Sequence, residues 1–259
     1  MVQFIGDEAQ TLGGTTLLLP GPNGLGFVGQ LALDLVIATL KLKRIGFLDS
    51  ADVEAVVGVD SYGAWDPPAV HTAMEVFQGR VGDGPGAETI TVLQIRSRVE
   101  KGRGVAFAGA LAAWIAASGF SRVLLATAFD GTRRSDAQLN SSPLRFVQTG
   151  PANAGAFPRI AELGWREMEP AEGLYTDSPS RIPPGGGLTR FLQDALTKRE
   201  TPLTVLGWFA IEGDNMQDVC DLAAAIDALL QLRPKDEPWS QPRSWEHLYG
   251  PLRFTRDLF

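Results

Sequence analysis

LLLPGPNGLGFVGQLALDLVIATL, residues 17–40, is the stretch whose reading decides the fold. The run Thr15–Pro20 has the length and apolar character of a buried strand. The glycines and prolines that follow make a turn, and residues 30–40 read as a helix. In that helix Gln30, Asp34 and Lys41 just beyond it fall on one narrow stripe, and nearly every other side chain is apolar. A helix so composed is buried on most sides.

The same alternation runs outward along the chain. RIGFLD (44–49), AVVGVD (55–60), AMEVFQ (73–78), TITVLQI (89–95) and RVLLATAF (122–129) have strand length, with turn residues between them. Residues 104–118 are apolar all round and end at Gly119, which suits a buried helix with a glycine cap. PLTVLGWFAI (202–211) reads as a central strand, and a helix follows it. There Asp214 and Gln217 have the spacing of a capping box, and Pro234 marks the stop. Val219, Leu222, Ala223, Ile226, Leu229 and Leu230 share one face of that helix, with Gln217, Asp218, Asp221 and Gln231 opposite. Strands alternating with helices predict an α/β fold: a single-domain three-layer α/β/α sandwich over residues 1–250 with a mostly parallel or mixed central sheet. Residues 150–184, rich in Pro and Gly, read as connecting loops, and 251–259 as a C-terminal tail.

Composition narrows the function. The chain has 259 residues, 44% hydrophobic and 20% charged, with a net charge of −7. An acidic chain with scattered Lys and Arg lacks the basic face that nucleic acid requires. Cys220 is the one cysteine, so neither a disulfide framework nor a cysteine zinc cluster is available. MVQFIGDEAQ does not read as a secretory signal, and no apolar run reaches the ~20 residues that span a bilayer. The expectation is a cytoplasmic and nuclear protein with no membrane partner.

One motif invites an enzymatic reading. Gly24-Leu-Gly26-Phe-Val-Gly29 follows a strand, opens a helix and precedes Asp49 at the end of the next strand. That is the layout of a dinucleotide fingerprint, with the pyrophosphate at the helix N-terminus and the acid on the ribose. A tight strand-to-helix turn needs glycines in any case. A second cluster, Gly185-Gly186-Gly187, precedes another helix but lacks the Lys of a phosphate loop, and reads as an entry turn satisfied by neighbouring chain. His71 and His247 stand apart from any metal-ligand spacing and read as surface or hydrogen-bonded histidines. The acidic pairs Asp49 with Asp52 and Asp214 with Asp218 read as caps and solvated faces. No catalytic, cofactor or metal residues are assigned.

Several segments together resemble the proteasome assembly chaperone 2 family: residues 17–40 running into KRIGFLDS, QLNSSPLRFVQT (138–149), LGWREME (163–169), Arg181-IPPGGG-Leu188-Thr189, Glu212-GDN-Met216 and Pro242-RSWEHLYG. The resemblance implies a chaperone for 20S proteasome assembly, without enzymatic turnover or cofactor. It also implies a heterodimer with proteasome assembly chaperone 1 that holds α subunits, promotes the α ring and prevents α-ring dimers. Such a chain should carry an apolar patch that only its partner covers. Family members can carry Ser at Gly24, which weakens the alternative, a nucleotide-dependent α/β enzyme. The tail Pro251-LRFTRDLF offers Asp257, Leu258 and Phe259 as residues that enter an α-ring pocket. Docking tails of this kind end in a hydrophobic residue, Tyr and any residue, and here Asp257 and Leu258 hold the first two places.

Overall fold

The strand Thr16–Pro20 is buried at all five residues, with Leu18 directed to one core and Leu17 and Leu19 to another. That alternation is what a strand between two helical layers requires. In the computed structural model, residues 1–6, 11–63, 70–82, 87–150, 157–169, 180–234 and 237–246 are described. They comprise β1 (Val2–Gly6), β2 (Thr16–Pro20), α1 (Val28–Leu40), β3 (Lys43–Ser50), β4 (Val57–Val59), β5 (Val70–Thr72), β6 (Met74–Val81), β7 (Glu88–Ile95) and α2 (Gly104–Ser118). Then follow β8 (Arg122–Asp130), α3 (Asp136–Leu139), β9 (Leu144–Thr149), α4 (Arg159–Glu162), α5 (Thr189–Thr197), β10 (Leu203–Ala210) and α6 (Met216–Leu230).

Eight strands form a mixed sheet in the order β1-β3-β6-β7-β2-β8-β10-β9. The centre, β7-β2-β8-β10, is parallel, and the antiparallel pairs lie toward the two edges. Helices α1 and α6 cover one face around Leu33, Val36, Leu222 and Ile226, and α2 and α5 cover the other around Phe107, Leu111, Leu192 and Leu196. The expected three layers and mixed sheet are present. The run 55–60 supplies only β4, which pairs with β5 in a separate two-stranded ribbon.

Three local expectations are corrected. Helix α2 is apolar all round but buried on one side only, leaving Val105, Ala106, Ala113, Ala116 and Ala117 exposed. Asp214 accepts from the Met216 amide at 3.1 Å, but Gln217 reaches forward to Asp221 at 3.0 Å, so no capping box closes. Asp218 is half-buried and not solvated, because its Oδ1 accepts from the Trp208 indole of β10 at 2.8 Å.

Two outcomes follow for α6. Ile226 is fully buried, so Ile226→Ala should cost about 2–5 kcal/mol through the cavity it leaves, read from the urea midpoint. Burial raises the Asp218 carboxyl; the indole hydrogen bond opposes this, Asp221 adds to it, and the net shift is upward. The folded state thus binds that proton more tightly than the unfolded chain. The associated stability is full below about pH 4, near the unfolded carboxyl value, and is lost as pH rises through the folded value. Asp218→Asn keeps the acceptor and removes the charge. The wild type should therefore lose stability relative to this variant as pH rises from about 4 to 7.

Candidate functional site

In open α/β sheets a ligand crevice lies at the carboxyl ends of parallel strands, where successive connections leave for opposite faces. Here that switch falls between β7, followed by α2 on one face, and β2, followed by α1 on the other. The glycine motif sits at this place, and the protein has filled it. Asn23 Oδ1 accepts from the Val99 amide at 3.1 Å, joining the two loops across the crevice. The Leu25 amide, one of those a pyrophosphate would use, donates to the Gly185 carbonyl at 2.8 Å. The Leu188 amide donates to the Pro22 carbonyl at 2.8 Å, and that of Asp130 to the Pro184 carbonyl at 2.7 Å. The second glycine loop is thus the plug for the first.

Each glycine has a packing reason. A methyl on Gly29 would collide with the Ala126 carbonyl of β8, and one on Gly187 (φ 58°) with the Pro22 carbonyl. Asp49 lies far from the turn. It is on β3, separated from β2 by β6 and β7, about 14 Å away at the usual strand spacing. It is exposed and pairs in register with Gln3. Gly24, Gly26, Gly29 and Asp49 therefore do not form one site.

The chain's charged chemistry is concentrated beneath the β4–β5 ribbon, on the α1 side of the sheet. Asp34 of α1 is buried and accepts from Gln94 at 2.7 Å, from Arg96 Nη2 at 2.8 Å and from the Tyr62 hydroxyl. Glu75 of β6 is fully buried and takes Arg44 Nη1 at 2.7 Å and His71 Nδ1 of β5. The other ring nitrogen of His71 lies 3.1 Å from Asp60 Oδ1. Tyr62 meets His71 and Phe77 edge-on, with centroids 5.2 and 5.4 Å apart. Burial, then the Asp34 carboxylate, hold the Tyr62 phenol well above its ordinary value, so it remains a donor. Burial pushes Asp60 up, but the amides of Tyr62 and Gly63, together with the nearby His71 and Arg44, outweigh it and hold the carboxyl below its usual range.

This cluster pins the ribbon onto the sheet. His71 is buried and hydrogen-bonded, and His247 lies outside the described residues. Asp52 is also buried, held by Arg103 Nε at 2.7 Å, and so is neither a cap nor on a solvated face. Burial and Asp221 push the Cys220 thiol up to about 11, away from nucleophilic chemistry. Among the described residues no group of three or more His, Cys, Asp or Glu side chains could hold a metal, and no helix is long and apolar enough to cross a membrane.

Asp257, Leu258 and Phe259 lie outside the described residues. The described chain ends at residue 246, where Trp245 is buried in the α1/α6 core and the Ser240 amide donates to Thr39 at 2.9 Å. The Ser244 amide donates to the Ser61 carbonyl at 3.4 Å, which ties this last described segment to the end of the β4 loop. Removing Asp34 should leave the largely enclosed Arg96 without its nearest carboxylate, with Glu75 3.8 Å from its Nε. Asp34→Ala is expected to lower stability by about 3–5 kcal/mol by calorimetry.

Comparison with known proteins places this arrangement. A model of the PAC2 family matches residues 18–231. The chain is 32% identical over 258 residues to proteasome assembly chaperone 2 of Bos taurus and 33% identical over 259 residues to that of Homo sapiens, covering 95% of each chain in both cases. Two Pyrococcus furiosus structures share the fold at 12% identity. The archaeal proteasome activator PbaB has a TM-score of 0.62, covering 90% of both chains; PbaA, an archaeal homologue of proteasome-assembly chaperone, has 0.63, covering 90% of this chain and 88% of its own. A family model spanning residues 18–231, with relatives identical at about a third of positions along nearly the whole length, identifies the chain as a member of the PAC2 family.

Proposed function

We propose that this chain is a chaperone of 20S proteasome assembly that acts by binding and not by turnover. The observation that carries the reading is the nearly full-length similarity to proteins named proteasome assembly chaperone 2. The plugged crevice supports it, since the place where an α/β enzyme of this layout would hold a nucleotide is occupied by the chain's own loops. In this reading the chain pairs with proteasome assembly chaperone 1 in the cytoplasm and nucleus. The pair holds α subunits while the α ring closes and keeps rings from dimerising. The test is reconstitution: purified heterodimer added to α subunits should raise the yield of single rings over double rings on native gels. An unchanged distribution would contradict the role.

Two further outcomes separate this reading from the enzymatic alternative. Millimolar NAD, NADP or ATP should leave the melting temperature unmoved. A nucleotide bound at 100 times its Kd would add about 2.7 kcal/mol, a shift of several degrees. In the tail, Asp257, Leu258 and Phe259 are assigned to an α-ring pocket, where apolar side chains and a terminal carboxylate meet an apolar, basic site. Deleting Leu258 and Phe259 should weaken association of the heterodimer with α-ring intermediates about tenfold. Unchanged affinity would make the tail passive.

A further inference from the structure

The two edges of the sheet are treated differently. At one edge, β9 follows Pro143 and is covered by its own chain: the Phe146 amide donates to the Arg166 carbonyl at 3.2 Å, and the Met168 amide to the Phe146 carbonyl at 2.8 Å. At the other edge, β1 pairs only with β3, and among the described residues no further strand pairs with its outer side. Its sequence, Val2-Gln3-Phe4-Ile5-Gly6, has no charge and no proline, the devices that ordinarily protect an edge. About every second residue of such a strand turns its N–H and C=O outward, unpaired.

Beside this edge lies the outer face of the ribbon. His71 and Gly58 pair in register on the side held to Glu75, while Val57, Val59 and Val70 face away and are 70%, 55% and 52% exposed. Ile5 (53%) and Val56 (46%) line the groove between β1–β3 and the ribbon. Together these five residues leave on the order of 400 Å² of largely apolar surface open, about half of the ~800 Å² each partner gives to a stable interface. The unpaired edge of β1 adds to this surface, and it dictates the occupant's chemistry: an extended strand whose backbone groups match those of β1.

We infer that β1 and the Val57–Val59–Val70 face form the docking surface for an edge strand of the partner chaperone, which would extend the eight-stranded sheet across the dimer. The inference rests on the proposed heterodimer. The ribbon supplies the apolar floor, and the ion cluster beneath it keeps that floor formed before the partner arrives. Because the three valines point to solvent, they can be changed without disturbing the core.

The test uses the full-length chain co-purified with proteasome assembly chaperone 1. Val57→Lys with Val59→Lys, and separately Ile5→Lys, should each weaken the 1:1 complex at least tenfold while leaving the melting temperature of the single chain unchanged. Hydrogen exchange should show the outward amides of residues 2–6 protected in the complex and open in the free chain. Complexes as tight as wild type, with no added protection at β1, would overturn the docking surface and leave the chaperone reading intact. A wild-type chain that pairs through β1 only with a second copy of itself would overturn the choice of occupant. A wild-type chain that forms no complex with that partner would overturn the heterodimer and this surface together.

Discussion

Two carboxylates, Asp34 and Glu75, stand in the interior, and the fold around them is arranged so that neither stands unpaired. A buried charge without a partner costs several kcal/mol, so its surroundings must bring cations and donors to it. Arg96 and Gln94 come from β7 and its exit, Arg44 from β3, His71 from β5 and Tyr62 from the turn after β4. The helix α1, three strands of the sheet and the ribbon are thereby tied to one another. The ribbon could not hold itself, since two short strands are marginal alone. Its position is a consequence of the carboxylates beneath it, and the valine face it turns to solvent follows from that.

The other organising choice is at the carboxyl end of the parallel strands. A glycine turn between β2 and α1 has the spacing of a nucleotide site, yet Gly29 serves close packing against β8 and Gly26 against Asn215, and the turn is hydrogen-bonded to the loop at residues 185–188. The same small residues that admit a phosphate can admit another stretch of backbone. What separates the two uses is whether the amides are free, and here Leu25, Leu188 and Asp130 have spent theirs on carbonyls. A fold familiar from enzymes is left with a closed top, and its open chemistry lies in apolar side chains and a sheet edge.

Much of the architecture was legible from periodicity. The strand Thr16–Pro20, helix α2 with its Gly119 cap and the inward face of α6 follow from apolar spacing alone. The order of the strands was not legible, because β3 returns three places away from β2 and no local signal records that distance. Strand β9 was missed as a strand since buried Arg145 breaks its apolar pattern; Glu169 and the Ser142 and Leu144 carbonyls receive that guanidinium. Helical spacing put Asp218 on a polar face but could not show that Trp208 would reach it. The ion cluster was invisible for the same reason: Asp34 and Arg96 are 62 residues apart. Of the tail, the sequence offers Asp257, Leu258 and Phe259, which lie beyond the described residues.

The central claim is that this PAC2-family chain works as a binding protein, with its crevice closed and its partners held on its surface. Native mass spectrometry of the protein isolated from cells addresses it most directly. The account predicts a 1:1 complex with proteasome assembly chaperone 1, carrying proteasome α subunits and no retained small molecule. A lone chain that holds a nucleotide or other cofactor stoichiometrically would contradict it.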